Sequence, residues 1–129
     1  MKGSYVLLIK LEEDTTIKVG KLGNIFFKKG FYAYVGSALN GIEQRIQRHI
    51  RKNKKIHWHI DYLLNYAKIK DAFYRESNEK EECNIANKFG KLESVYGFGC
   101  SDCECKSHLF YGSKKEILQI ISNLDMQNT

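Results

Sequence analysis

The stretch from Phe31 to His49, FYAYVGSALNGIEQRIQRH, constrains the fold most, because it reads as strand, turn and helix in succession. Phe31 to Val35 is aromatic and β-branched, which suits a pleated surface. Gly36-Ser37 breaks that run, and Gly41 breaks the chain again. From Ile42 the period is helical, with Ile42, Ile46 and Ile50 at spacing four on one face. Arg45 and His49 are also four apart and share another face. A strand-end tyrosine and a helical arginine and histidine are thus directed toward one place.

The rest of the chain supplies strands and helices around this unit. Gly3 to Lys10 reads as a largely buried strand, Thr16 to Val19 and Asn24 to Phe27 as two more, and Ile69 to Tyr74 as another. The short spacings predict an antiparallel meander. The strand pair between Tyr5 and Tyr34 means that these tyrosines are neighbours only if Gly3 to Lys10 pairs directly with Phe31 to Val35. His57 to Leu64 reads as a short helix. Asn78 to Phe89 reads as a helix with an acidic first turn at Glu79, Glu81 and Glu82, which favours its dipole. Ser107 to Tyr111 is a short strand candidate. Ser113, with Glu116 three residues on, predicts a capping box for a last helix striped by Ile117, Ile120, Ile121 and Leu124. The expected fold is one α/β domain of the α+β type over residues 1–129, a central antiparallel sheet flanked by helices.

A formal charge of +6 favours an anionic partner, nucleic acid first. The charge is concentrated in Arg45, Arg48, Arg51, Lys52, Lys54 and Lys55, at and just beyond the key helix. No apolar run approaches the roughly 20 residues of a membrane span, and the N-terminus lacks a signal-peptide core. A cytoplasmic location is expected, with no membrane partner. Cys83, Cys100, Cys103 and Cys105 are then expected as thiols or metal ligands rather than disulfides.

Tyr34-Val35-Gly36, a small-residue turn, an aliphatic residue, Arg45 and then His49 resemble the second half of the GIY-YIG nuclease signature, and Gly3-Ser4-Tyr5 resembles the first half. The chain is most similar to a largely archaeal branch of that superfamily, through these motifs, through His57-Trp58-His59-Ile60-Asp61-Tyr62, and through Ser101-Asp102-Cys103 with Cys105 and Ser107 to Phe110. The resemblance spans nearly the whole chain. It implies a GIY-YIG-like domain and a metal-dependent endonuclease that hydrolyses phosphodiesters, with DNA the first expectation.

Phosphodiester hydrolysis needs a base, positive charge on the phosphate and a stabilised leaving oxygen. Arg45 falls at the family's helical arginine, allowing one extra residue, Gly41, in the turn. Its permanently charged planar fork suits a phosphate. Tyr34 and Tyr5 could position or activate water, although a tyrosine pKa near 10 needs lowering for a base. His49 matches a histidine found in several relatives and titrates nearer neutrality. By the same resemblance Glu82 is the carboxylate that would hold Mg²⁺ or Mn²⁺. Arg48, Arg51, Lys52, Lys54 and Lys55 are the expected nucleic-acid contacts.

Cys100, Cys103, Cys105 and His108 form a second constellation whose donors suit tetrahedral Zn²⁺. Cys103-x-Cys105 is tighter than the usual spacing, so a buried, reduced loop shaping one wall of the site, with Asp102 and His108 as its polar groups, is the first reading and zinc the second. His57, His59 and Asp61 form a third polar cluster, with Trp58 facing away if the segment is extended and His57 and Asp61 sharing a face if it is helical. Two other functions stay open: a non-catalytic DNA- or RNA-binding module of the same fold, and a zinc-stabilised interaction domain.

Overall fold

A computed structural model describes residues 1–38, 40–52, 54–100 and 105–129. In chain order the elements are β1 (Gly3–Leu11), β2 (Thr15–Lys18), β3 (Asn24–Phe27), β4 (Gly30–Ala38), α1 (Ile42–Ile50), α2 (His59–Leu64), β5 (Lys68–Glu76), α3 (Glu82–Lys88), β6 (Glu93–Ser94), β7 (Leu109–Gly112), α4 (Lys114–Ser122) and β8 (Gln127–Asn128). Six strands make one antiparallel sheet in the order β6-β7-β4-β1-β5-β8, and β2 and β3 form a separate hairpin.

The order is not the meander that short spacings predict. β1 skips the hairpin and pairs along its whole length with β4, from Gly3↔Ala38 to Leu11↔Gly30. On its other side it pairs with β5. The hairpin packs on the sheet instead, with Ile17 and Phe27 in the core. This bypass brings Tyr5 beside Gly36 in register and closes the gap between the two tyrosine motifs.

β1 and β4 are covered on both faces, which is why β1 reads as a continuous apolar run. Tyr5, Leu7, Ile9 and Leu11 join Tyr32 and Tyr34 in a cluster under α1, α2 and the hairpin. Val6, Leu8, Ala33 and Val35 face the opposite cluster, with Ile85, Ala86 and Phe89 of α3 and Ile117, Ile120 and Ile121 of α4. Alternation along a strand sends successive side chains to opposite faces, so one run of residues supplies both layers.

Local chemistry sets the element ends. Ser113 accepts the Glu116 N–H at 3.0 Å while the Glu116 carboxylate accepts the Ser113 N–H at 3.0 Å, the expected capping box. α3 starts at Glu82 rather than Asn78. The Ser77 hydroxyl bonds both the N–H and the carbonyl of Glu79, and that turn competes with an earlier helical start. In α1 Ile42 and Ile46 are buried, but Ile50 is exposed because the helix ends there. Its C-terminal carbonyls are covered by Lys54, whose Nζ donates to the carbonyls of His49 (3.0 Å) and Arg51 (2.7 Å).

β7 leaves β4 after the pair Tyr34↔Leu109, so Gly36 to Ala38 are bordered by β1 alone. α3 begins at that open edge. Its Ile85, Ala86 and Phe89 lie on one side of the sheet, while Glu82 reaches the cavity lined by Tyr5 and Tyr34 on the other.

Gly36 is required by a close approach: a Cβ there would collide with the Tyr5 ring and hydroxyl. Gly36→Ala should therefore cost about 1–3 kcal/mol through overpacking, read by urea denaturation. In a Tyr5→Ala background the same change should cost much less. Equal costs in both backgrounds would mean that Gly36 does not make room for Tyr5.

Candidate functional site

A cavity of about 420 Å³ opens where β1, β4, α1 and α3 meet. Tyr5, Tyr34, Arg45 and Glu82 all line it, one from each of those elements. His57, Trp58, His59, Lys80 and His108 complete the polar wall.

His49 stands behind this wall rather than in it. It is 2% exposed, and its Nε2 lies 2.7 Å from the Tyr5 hydroxyl. Its Nδ1 has no hydrogen-bond partner among the described residues. Burial pushes the His49 pKa down to about 4; Asp61 opposes that shift, while Arg48, Arg45 and Lys54 add to it. The imidazole is therefore neutral near pH 7. Burial raises the Tyr5 hydroxyl pKa far above its ordinary value, against the lowering effect of the Arg45 guanidinium. Tyr34 is raised too, by burial first and then by Tyr5 and Glu82. Neither tyrosine is a standing phenolate.

The two helical arginines have different surroundings. Arg48 forms a two-pronged ion pair with the buried Asp61 carboxylate, at 2.9 and 3.0 Å, and also donates to the Lys55 carbonyl. Asp61 further accepts the backbone N–H groups of His57 (2.8 Å) and Trp58 (2.9 Å). Burial alone would raise the Asp61 pKa, but the Arg48 bond and the two backbone bonds outweigh it and hold the carboxyl below its usual range. Asp61 and His57 are thus joined through the backbone rather than through a shared helix face. Arg45 donates to the Ser37 carbonyl at 3.0 Å and lines the cavity. Both guanidiniums lie over the Trp58 ring, Arg45 at 4.5 Å and Arg48 at 4.3 Å from its centroid. Trp58 faces the cavity instead of turning away.

Lys54 covers helix carbonyls, as Arg48 covers Asp61, so within the basic run Arg51, Lys52 and Lys55 are the exposed cations. Lys80 lines the cavity although no motif marks it in the sequence. His59 accepts the Gly99 N–H at Nδ1, 2.9 Å away, which fixes its tautomer and ties α2 to the loop before β7. Burial lowers the His59 pKa.

Cys83, Cys105 and His108 form a cluster that could hold a metal ion, their donor atoms all within 4.8 Å of one another. The Cys83 and Cys105 sulfurs are 3.0 Å apart, and His108 Nε2 lies 2.8 Å from Cys105 and 3.8 Å from Cys83. Cys100 Sγ lies 4.0 Å from Cys105 Sγ. The expected Cys100, Cys103, Cys105 and His108 set therefore changes: Cys83 joins from α3, while Cys103 and Asp102 lie outside the described residues. Spacing could not reveal Cys83, because a helix start and a distant loop meet only in the fold. No helix among the described residues is long and apolar enough to cross a membrane.

The His49 environment sets a pH dependence. The folded protein favours the neutral imidazole, so its contribution is complete above pH 6.5 and is lost as pH falls from there through about 4. The full loss is about 3–4 kcal/mol at about 1.4 kcal/mol per unit. Urea denaturation of the wild type should weaken over this window. His49→Gln, which keeps an acceptor for Tyr5, should weaken less. Parallel curves for the two proteins would show that His49 is not the group responsible.

No curated protein and no solved structure matches the chain. Residues 4–127 match the model of the family described as a domain of unknown function, DUF123, so the chain belongs to that family.

Proposed function

We propose that the protein is a metal-dependent endonuclease that hydrolyses phosphodiesters of nucleic acid, DNA first, in the manner of the GIY-YIG nucleases its motifs resemble. The observation that carries this reading is the convergence of Tyr5, Tyr34, Arg45 and Glu82, from four separate elements, on one cavity. Packing alone would not require a guanidinium, a carboxylate and two hydroxyls to face the same open space.

The residues divide the work by their surroundings. With both tyrosine pKa values raised by burial, a free phenolate is a poor candidate for the base. A relay fits better. The Tyr5 oxygen takes a proton from the attacking water while its own proton passes to His49 Nε2, 2.7 Å away. The neutral imidazole is the form that can accept it. Tyr34 orients the water from the neighbouring strand. Arg45, held by the Ser37 carbonyl and the Trp58 face, presents fixed positive charge to the phosphate as charge develops there.

Glu82 is the residue to hold Mg²⁺ or Mn²⁺. A single carboxylate at an open cavity suits a hard cation that keeps several waters. Such a cation would supply charge neutralisation at the phosphate and the leaving oxygen. The thiol and imidazole cluster beside it suits a softer metal, zinc above the others. Arg51, Lys52 and Lys55, exposed beyond α1, would contact the nucleic-acid backbone.

Cleavage of mixed DNA and RNA substrates with Mg²⁺ or Mn²⁺ tests the reading. Arg45→Ala should lower the rate by about 10²–10³. Glu82→Gln should lower it too, with partial recovery at high Mn²⁺, which binds such sites more tightly than Mg²⁺. Arg45→Ala should show no such recovery, and both variants should still bind. Wild-type protein that binds these substrates but cuts none of them would favour the non-catalytic binding module.

Binding should weaken steeply with salt. Replacing Arg51, Lys52 and Lys55 by glutamine should flatten the plot of log affinity against log salt by about 0.9 for each phosphate that is no longer neutralised. An unchanged slope would move the binding surface elsewhere.

A further inference from the structure

We infer that Cys83, Cys105 and His108 hold a structural zinc that clamps the first turn of α3 to the loop before β7, with Cys100, 4.0 Å from Cys105, as the fourth donor once its side chain turns inward. A tetrahedral zinc with Zn–S near 2.3 Å and Zn–N near 2.0 Å sets its donor atoms about 3.5–3.8 Å apart. Within the three-donor cluster the separations are 3.0 Å between sulfurs and 2.8 and 3.8 Å between sulfur and nitrogen, on either side of that range, while Cys100 Sγ, 4.0 Å from Cys105 Sγ, lies outside the cluster and has further to move.

The two clamped segments are anchored to the fold separately. α3 is a short helix with no side-chain cap at Glu81, and its entry is held by the Arg75–Glu81 ion pair. The loop is fixed on the sheet side by Phe98, fully buried, and by the His108 carbonyl accepting the Val35 N–H. A metal bound by Cys83 on one segment and by Cys105 and His108 on the other would join them. Among these four donors only His108 lines the cavity, and the three cysteines are half-buried outside it. That placement suits a closed structural site rather than an open catalytic one.

Thiolates and an imidazole select zinc and leave Mg²⁺ to oxygen ligands, so this metal does not compete for Glu82. Cys83 follows Glu82 directly, so the zinc would also fix where the Glu82 backbone sits. That last clause rests on the nuclease reading; zinc binding itself does not.

The full chain, purified without chelator or an immobilised-metal column, should carry about one zinc, measured by plasma mass spectrometry. Chelator-stripped protein titrated with Co²⁺ should develop the intense visible bands of tetrahedral cobalt and an ultraviolet thiolate charge-transfer band. Cys83→Ser and Cys105→Ser should lower zinc content and Co²⁺ affinity at least tenfold, whereas Glu82→Gln should leave both unchanged. Stripping should also lower the thermal midpoint. The inference fails if zinc is absent from the purified protein and stripped wild type gives no thiolate–cobalt band, a readout that holds even if a cysteine variant misfolds. It also fails if Cys83→Ser binds cobalt as wild type does, or if Cys83 and Cys105 are joined by a disulfide in protein isolated without reductant. Zinc binding without cleavage would sink the nuclease reading and leave the metal site standing.

Discussion

The direct pairing of β1 with β4 is the interaction on which the rest depends. It runs in unbroken register over both strands and sets Tyr5 against Gly36, with Tyr34 two residues earlier on the partner strand. A one-residue slip would turn every side chain of β1 to the other face. Tyr5 would leave His49, and the apolar residues for α3 and α4 would face α1. Burial on both faces makes such a slip costly twice over. The absence of a Cβ at Gly36 lets the Tyr5 ring lie across β4. The Tyr5–Tyr34 and Tyr5–His49 ring contacts, at 6.5 and 5.5 Å, follow from that one close approach.

Around this pair the electrostatics are divided rather than pooled. Two guanidiniums pack on one tryptophan ring. Asp61 takes Arg48 in a two-pronged pair within a carboxylate site already held by two backbone donors. Breaking a buried pair of this kind costs about 3–5 kcal/mol, since the remaining charge has nowhere to go. Arg45 has a carbonyl bond, the ring contact and the neighbouring Tyr5 hydroxyl but no carboxylate ion pair among the described residues, so its charge stays available to the cavity. The helix thus carries one arginine bound into the fold and one facing the site, three positions apart.

The layered α/β class, the strand–turn–helix unit and the Ser113 cap were legible because each is written in local pattern: alternation, four-residue spacing and capping chemistry. The sheet order was not, since the bypass of β2 and β3 is decided by long-range pairing. The convergence of Tyr5, Tyr34, Arg45 and Glu82 could be anticipated only through motif resemblance. The surroundings that set their chemistry were hidden: periodicity could not tell Arg48, bound to Asp61, from Arg45, or place His49 behind Tyr5 instead of at the cavity wall. Trp58 was misjudged because its direction depends on the N-terminal geometry of α2, where Asp61 gathers the backbone N–H groups of His57 and Trp58. Cys83 was missed as a partner of the loop cysteines because proximity between residues 83 and 105 leaves no trace in spacing.

The adjacency of Glu82 and Cys83 connects the two metal chemistries. Successive residues on a helix point about 100° apart. A single first turn of α3 can therefore send a carboxylate into the cavity and a thiol toward the loop. Because that turn sits at the open edge where β7 has left β4, neither side chain has to cross the sheet. Oxygen and sulfur donors favour different cations, so the two positions can be loaded independently although their residues are consecutive. With a metal held at Cys83, the carboxylate's position would follow from the thiol's. A helix of seven residues anchored by Ile85, Ala86 and Phe89 is fixed at its far end by packing. A second anchor in its first turn would hold the other end as well.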